Sequence, residues 1–370
     1  MTGFVERLYA SLAAATASSA NLVFSPASIS IALAMVRDGA AGDTADQIDE
    51  LLIGPDRGGP ERGGPERALR VLRRASPTAE ADLMLSAVNA LFVQRGYEID
   101  PRFLSRLVSE HDCSVQPMDF SADPERSRLE INAFVDDRTR HRIAELLPRG
   151  VIDSETRLTV VNTIHLEAAW RFPFTAALTA DAPFAGLGGA VRDVPTMHLV
   201  AGLPYATGDG WRAVELPYRR GSTSLLIILP DVGRSVHTVV GAVTAASTRT
   251  PSRIALSLPR FAITTSVLLS EPLRVLGMTN AFDLATADFR GITTSEPMCI
   301  GEVAHQANIT VDEEGTEATA ATAIAMAGLG RATEPPIEFC VDRPFVFAVG
   351  HVDSGTILFV GHVGDPYPDE

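Results

Sequence analysis

Apolar side chains recur at helical spacing in two segments of the chain. The first stripe, near the amino terminus, consists of Phe4, Val5, Leu8 and Leu12. Four apolar positions on one face predict an amphipathic helix there. The second stripe predicts a helix over residues 131–148, with Pro148 as its end. Its members are Ile131, Phe134, Val135, Ile143, Leu146 and Leu147.

An uninterrupted apolar run predicts a buried strand at residues 225–229 (LLIIL). Gly and Pro cluster only in the duplicated GGPER of residues 58–67, which predicts an exposed loop and not a linker between domains. We therefore expect one domain of the mixed α+β class that spans residues 1–370.

Residues 316–327 form a run of small and mostly uncharged side chains. The run contains six Ala and three Thr, and its single charge is Glu317. At the strand period of two, one face is uncharged, and it consists of Thr316, Ala318, Ala320, Thr322, Ile324 and Met326. Such a run can join a sheet as an extra strand without burying a charge. The Ala content also favours a helix, and Ala/Thr-rich segments often serve as linkers.

The net charge of −15 excludes two classes of partner. An acidic chain repels the phosphates of nucleic acids and the anionic surfaces of membranes, so we expect neither. No apolar run approaches the length of about 20 residues that spans a bilayer. Glu6 and Arg7 interrupt the first apolar stretch, so no signal peptide is seen. We expect a cytoplasmic location if the chain is complete, and an extracellular one if a leader has been removed.

Neither the cysteines nor the histidines predict a cofactor. Cys113, Cys299 and Cys340 are odd in number and form no CxxC pair, which indicates free, buried thiols. The eight His show no HxxxH or HExxH spacing, so we expect no metal site.

Several strings, in order along the chain, resemble the serpin family. They include NLVFSPASISIALAMV (21–36), the two segments 131–148 and 158–170, WRAVELPY (211–218), SLLIILPD (224–231), LPRF (258–261), EEGTEA (313–318) and VDRPFVFAV (341–349). The resemblance implies a mixed α+β serpin fold of about nine helices and three β-sheets. It also implies a large five-stranded central sheet that can become six-stranded, and a mobile reactive-centre loop at about 313–336. All 31 basic residues are Arg, which suggests a GC-rich genome and a prokaryotic member.

The resemblance assigns roles to particular residues. It implies a hinge, at which the loop enters the central sheet, made of Glu313, Glu314, Gly315, Thr316, Glu317, Ala318, Thr319, Ala320, Ala321 and Thr322. The polar cluster called the shutter, where that sheet parts, is matched by Ser25, Ser28, Asn162 and His305. Trp170 matches the aromatic residue of the breach, where insertion begins. Without the family, His305 and Trp170 would be interpreted as ordinary core residues.

The function implied by the resemblance is inhibition of a serine protease, not catalysis. The protease would attack the loop as a substrate and form an acyl-enzyme with it. The cut loop would then insert as an antiparallel strand, and the displaced protease would lose the geometry that deacylation needs. This mechanism requires a metastable intact state. We expect a monomer that needs no cofactor and forms a covalent complex with its target.

Spacing from the hinge predicts the bond that is cut. In the family the acylated residue commonly lies fourteen positions after the hinge glycine, which here is Leu329, followed by Gly330. Leu suits a chymotrypsin-, elastase- or subtilisin-like protease with an apolar primary pocket. Arg331 is the alternative and would suit a trypsin-like protease, whereas Met326 would leave too short a strand.

A non-inhibitory serpin, with a carrier, chaperone or storage role, is one alternative. It would keep the fold, but Pro, charge or bulk usually spoils such hinges, and Thr316, Ala318, Ala320 and Ala321 show none of these. An aspartic-protease-like enzyme using Asp353 is a second alternative, although that chemistry needs two carboxylates and the chain has one such motif.

A basic stripe leaves a third question open. Arg67, Arg70 and Arg74 share one face of a predicted helix over residues 66–77, where some serpins bind polyanionic cofactors. The ordinary interpretation is a solvated helix face among acidic neighbours.

Overall fold

The computed structural model describes residues 2–16, 21–53, 64–74, 83–219, 222–245, 249–316 and 335–367. Helices pack on two large sheets in these ranges. The α-helices are α1 (Thr2–Ala15), α2 (Pro26–Arg37), α3 (Gly42–Ile53), α4 (Gly64–Arg74), α5 (Pro101–His111), α6 (Pro124–Arg138), α7 (Ala242–Ala245) and α8 (Ser270–Val275). Short 3-10 turns lie at Ala176–Leu178, Val236–Val239 and Asn280–Phe282.

The strands alternate with these helices along the chain. They are β1 (Asn21–Phe24), β2 (Leu83–Gln94), β3 (Ser114–Met118), β4 (Leu158–Ala169), β5 (Ala180–Ala185), β6 (Val191–Gly208), β7 (Trp211–Pro217), β8 (Thr223–Pro230), β9 (Thr250–Pro259), β10 (Phe261–Leu268), β11 (Glu302–Val311), β12 (Gly315–Thr316), β13 (Ile337–Cys340), β14 (Phe345–His351) and β15 (Thr356–Val363).

The central sheet has the strand order β10-β11-β12-β4-β2-β3. β12 has only two residues, and it pairs antiparallel with β11 on one side and β4 on the other. Along the rest of their length β11 and β4 pair directly and in parallel, from Glu302 opposite Thr159 to Asn308 opposite His165. We call this direct contact the seam, and its end next to β12 the fork. The expected five-stranded sheet therefore already holds the start of a sixth strand.

The second sheet has nine strands in the order β1-β15-β14-β8-β7-β6-β9-β13, with β5 paired to β6. We expected three sheets, but the described residues form two. The reason is β6, an 18-residue strand that pairs with β5 and β9 and continues without a break into its pairing with β7. In the same ranges we find eight α-helices where we expected about nine.

The apolar core lies on both faces of the central sheet. The stripe predicted for the amino terminus is buried in α1, since Phe4, Val5, Leu8 and Leu12 are exposed by 1% or less. They pack in one cluster with apolar residues of both sheets. The other face of the central sheet is covered by α6, which contributes Ile131 and Val135 to a separate cluster.

The predicted helix over residues 131–148 is wrong in its bounds. α6 begins earlier, at Pro124, and ends at Arg138. Arg140 and His141 adopt left-handed φ values of 55° and 61°, which are incompatible with continued right-handed winding. The end of the apolar stripe is a loop that packs in the same cluster as α6 through Ile143, Leu146 and Leu147.

The side chain of Asn132 holds this loop against α6. Its Oδ1 accepts hydrogen bonds from the backbone N–H groups of Leu146 at 3.1 Å and Leu147 at 2.9 Å. Its Nδ2 donates to the carbonyl oxygen of Leu147 at 3.0 Å. Arg128, which is 3% exposed, donates to the same carbonyl at 2.7 Å. A buried amide thus replaces the helical hydrogen bonds that the loop lacks.

Two further expectations concern thiols and membranes. Cys113 is buried and Cys299 is half-buried, but Cys340 is exposed on the edge strand β13, so the expectation of buried thiols is wrong for Cys340. None of the described helices is both long and apolar enough to cross a membrane.

Replacing Asn132 tests whether its side chain stabilises the fold. Asn132→Ala leaves two buried N–H groups without acceptors, and we expect the free energy of unfolding to fall by about 1–3 kcal/mol in urea titrations. The matched control is Glu130→Ala, which removes an exposed ion pair with Arg126 on the same helix and should change little. Equal losses in both variants would contradict the role assigned to Asn132.

Candidate functional site

The fork is built around Gly315 and Thr316. Gly315 lies opposite Ala169 and Thr316 lies opposite Ala168 on β4. A Cβ atom on Gly315 would lie 2.1 Å from the carbonyl oxygen of Ala168, so only glycine allows the chain to approach β4 at this point. Thr316 is fully buried in the intact chain.

Two stacked aromatic rings form the floor of the fork. The rings of Trp170 and Tyr218 are nearly parallel, with centroids 4.7 Å apart. The Trp170 indole N–H donates to the carbonyl oxygen of Asp312 at 2.8 Å, and the Tyr218 hydroxyl lies 2.7 Å from the Thr316 hydroxyl. Burial raises the pKa of Tyr218, so its hydroxyl keeps its proton and can bond Thr316. The start of the hinge is thereby attached to the core.

The acidic residues before Gly315 are also bonded. Glu313 accepts hydrogen bonds from Arg260, at 2.9 Å from Nε and 2.5 Å from Nη2, and from the Thr179 hydroxyl. Burial alone would raise the pKa of Glu313, but the bonds from Arg260 and Thr179 outweigh it and hold the pKa below its ordinary value. Its charge therefore stays paired with Arg260 immediately before β12.

The four residues matched to the shutter lie together on the inner face of the seam. The backbone N–H of Ser25 donates to Nε2 of His305 at 3.1 Å, and His305 Nδ1 lies 2.7 Å from Oδ1 of Asn162. Asn162 donates in turn to the hydroxyl of Ser28 at 2.6 Å. The bond between His305 and Asn162 crosses from β11 to β4, so it lies in the path of an inserting strand.

His305 is a neutral imidazole with a defined tautomer. Because Nε2 accepts the Ser25 N–H, the ring proton must lie on Nδ1, where it is donated to Asn162. Burial lowers the pKa of His305 from 6.5 to about 3. Protonation would put a charge in the core and remove the acceptor of the Ser25 N–H.

Only part of the predicted hinge can be placed. Glu313, Glu314, Gly315 and Thr316 lie at the fork as described, and the backbone N–H of Trp170 donates a hydrogen bond to the carbonyl oxygen of Glu314. Outside the described residues are Glu317, Ala318, Thr319, Ala320, Ala321, Thr322, Leu329, Gly330 and Arg331.

Other predicted positions lie away from the fork. Asp353 is in the turn between β14 and β15, where it accepts a hydrogen bond from Ser222. Arg67 and Arg70 lie on α4, and Arg70 is exposed. The side chain of Arg74 is outside the described residues.

Four residues of this site were not predicted to belong to it. They are Asn89, whose Oδ1 accepts from Asn162 at 2.7 Å, together with Thr179, Tyr218 and Arg260. Asn89 could have been found, because it is a polar residue inside the apolar strand segment LMLSAVNALFV. Tyr218 ends the string WRAVELPY and Arg260 lies in LPRF, and both strings carried the resemblance without any role assigned to these residues.

Comparisons with known proteins agree with this geometry. A family model described as "Serpin (serine protease inhibitor)" matches residues 1–366. The leukocyte elastase inhibitor of Bos taurus is 33% identical over 361 residues, which cover 94% of this chain and 93% of the relative. Serpin B8 of Homo sapiens is 33% identical over 358 residues, 94% of each chain. The crystal structure of native protease nexin-1 with heparin superimposes with a TM-score of 0.83 at 28% identity, covering 99% of this chain and 98% of that one.

These findings and the fold define the class. The chain is a mixed α+β protein whose central sheet is parted at one end by an additional strand. It belongs to the serpin family, and the predicted serpin fold is confirmed. A prokaryotic source stays a prediction.

The state of His305 predicts a pH dependence of stability. Below about pH 6.5 His305 is protonated in the unfolded chain, whereas in the folded chain it stays neutral down to about pH 3. The free energy of unfolding therefore falls as the pH falls through this window. We expect His305 to contribute a loss of about 1 kcal/mol between pH 6.5 and 5.5, measured as unfolding free energy in urea. His305→Gln should remove that part of the slope.

The control for this measurement is an exposed histidine. The hydrogen bond with Asp136 raises the pKa of His141, so His141→Gln should alter the slope in the opposite direction. His362, whose pKa burial lowers to about 4, adds a slope of the same sign that His305→Gln does not remove. A slope that His305→Gln leaves unchanged would show that the ring binds its proton equally well in the folded and the unfolded chain, and would contradict the lowered pKa.

Proposed function

We propose that this protein inhibits serine proteases as a suicide substrate. The loop is cut at Leu329–Gly330, and the acylated segment inserts between β11 and β4 while the protease is still attached. The observation that carries the proposal is the position of β12. Gly315 and Thr316 are already paired between the two strands, and they run antiparallel to both. Insertion would extend a strand that has begun to form.

The strand registers indicate where each following residue would lie. Thr316 is opposite Ala168 and Val311, and each later residue moves one position back along both strands. Thr319 would then reach His165 and Asn308, and Thr322 would reach Asn162 and His305. Both polar pairs span the seam in the intact chain, and insertion would break both bonds. The Thr322 hydroxyl would replace the bond that the fully buried pair of Asn162 and His305 loses.

The apolar positions follow the same register. Ile324 would lie opposite Val160 and Val303, which are both buried in the core. Ala323 would lie opposite Val161 and Ala304 on the face beneath α6, where a small side chain suits the packing. The segment 316–325 would thus match β11 along all ten of its residues.

Insertion replaces one parallel pairing by two antiparallel ones. Parallel pairs are slightly less stable per residue, and each added hydrogen bond contributes about 1 kcal/mol net. Burial of Ile324 adds about 1.5–3 kcal/mol. The intact chain is then metastable, because two tied ends prevent the loop from reaching this arrangement before it is cut.

The predicted reactive bond selects the target class. Leu329 suits a protease with an apolar primary pocket, and one of the relatives bears the name leukocyte elastase inhibitor. We therefore propose a chymotrypsin-, elastase- or subtilisin-like target, bound covalently by a monomer, with Arg331 as the alternative site.

A covalent complex is the direct test. We expect chymotrypsin, elastase or subtilisin to form a complex that resists SDS, and mass spectrometry to show a released carboxy-terminal fragment that begins at Gly330. Catalytically inactive protease, with its serine replaced, is the control and should form no such complex. Turnover of the loop without a complex, for every apolar-specific protease, would favour a non-inhibitory serpin.

Specificity should depend on the residue at the cut bond. Leu329→Arg should shift inhibition to trypsin-like proteases by at least about tenfold, because an acidic pocket binds a guanidinium that an apolar pocket rejects. Rates of inactivation of trypsin and chymotrypsin measure this shift. Arg331→Ala is the matched control and should leave chymotrypsin inhibition intact. If only Arg331→Ala abolishes inhibition, the cut bond lies two residues further along.

A further inference from the structure

A hydrogen bond between two side chains closes the fork of the central sheet. His165 on β4 and Asn308 on β11 lie directly opposite each other, and Nδ1 of His165 is 3.0 Å from Oδ1 of Asn308. They are the last pair of the seam before β12 separates the two strands at Ala168 and Val311. An inserting strand therefore meets this bond before it meets any other pair of the seam.

This bond lies on the opposite face of the sheet from the shutter residues. His165 follows Asn162 by three positions along β4, and an odd spacing in a strand reverses the face. The outer face is the one that α6 covers. Nε2 of His165 also lies 3.3 Å from a carboxylate oxygen of Glu167, and the same oxygen accepts a bond from Arg142 in the loop after α6. The fork is thus tied to the segment that lies over the sheet.

The bond can exist only before insertion. Neighbouring strands lie about 4.8 Å apart, so a strand placed between β4 and β11 moves them to about 9.6 Å. A side-chain contact of 3.0 Å cannot span that separation. The hydrogen bond therefore stabilises the intact state alone, and breaking it is part of the barrier to insertion.

We propose that His165 and Asn308 are positioning residues that keep the fork closed and slow the insertion of the cut loop. This inference rests on the proposed function, because it assigns the two residues a role in the same movement. It predicts an asymmetry that a general stabilising contact would not produce. Loss of the bond should weaken the intact form and leave the cleaved form unchanged.

Asn308→Val tests this asymmetry, since valine fits a strand and cannot accept the bond. The melting temperatures of intact protein and of protein cleaved in the loop are compared by calorimetry. We expect the intact variant to melt about 1–3 °C below the intact wild type, with no difference between the cleaved forms. The number of inhibitor molecules used per protease should also fall toward one, because faster insertion competes better with deacylation.

The matched control removes a bond between strands that stay together. The Ser266 hydroxyl of β10 donates to Gln306 of β11 at 2.8 Å, and these strands remain neighbours after insertion. Ser266→Ala should therefore change both forms equally. His165→Leu removes the same hydrogen bond from the β4 side. The melting temperature of the intact double variant with Asn308→Val should fall no further than that of the more affected single variant.

The outcomes separate this inference from the proposed function. If cleavage does not raise the melting temperature of the wild type, strand insertion does not occur and both fail. If cleavage raises it but Asn308→Val lowers the intact and cleaved forms equally, the pair is an ordinary structural contact. No change in either form would show that the bond does not hold the fork.

Discussion

The parallel pairing of β11 with β4 is the contact on which the rest of this structure depends. The seam is held by backbone bonds and by one side-chain bond on each face, His305 with Asn162 inside and His165 with Asn308 outside. When either bond breaks, His305, Asn162 and His165 keep other hydrogen-bond partners. Apolar residues of β11 and β4 also pack in the same core clusters, so the seam combines apolar burial with two polar bonds that can be broken.

The residues at the fork are each constrained by a specific contact. Gly315 is required because the chain passes within contact distance of Ala168, and Thr316 is required to be small and able to bond Tyr218. Arg260 neutralises Glu313 just outside. Three residues at the fork are thus fixed by three different means: Gly315 by sterics, Thr316 by a hydroxyl pair and Glu313 by an ion pair.

The sequence predicted those parts of the site that depend on local pattern. The stripe of α1 is periodic and could be located from the residues alone, whereas β4, which is buried on both faces, and the hinge at Gly315 were located by resemblance to the family. Asn89, Tyr218 and Arg260 could not be assigned roles, because their partners are more than 50 residues away along the chain. The helix over 131–148 failed for another reason. A buried loop that packs on its own helix carries the same apolar stripe as a longer helix, and only the left-handed φ of Arg140 and His141 distinguishes them.

The far end of the loop is anchored in a different sheet from its near end. β13 lies parallel to β9 at the edge of the second sheet, and Arg212 donates to the carbonyl oxygen of Glu338 while its guanidinium lies 5.2 Å from the ring centroid of Phe339. Under the proposed mechanism, the two chain ends created by the cut belong to separate sheets, so they are not held next to each other. Each molecule is consumed by a single encounter. The quantity of protease that a cell can restrain would then be set by its rate of synthesis of this protein, and not by an equilibrium constant.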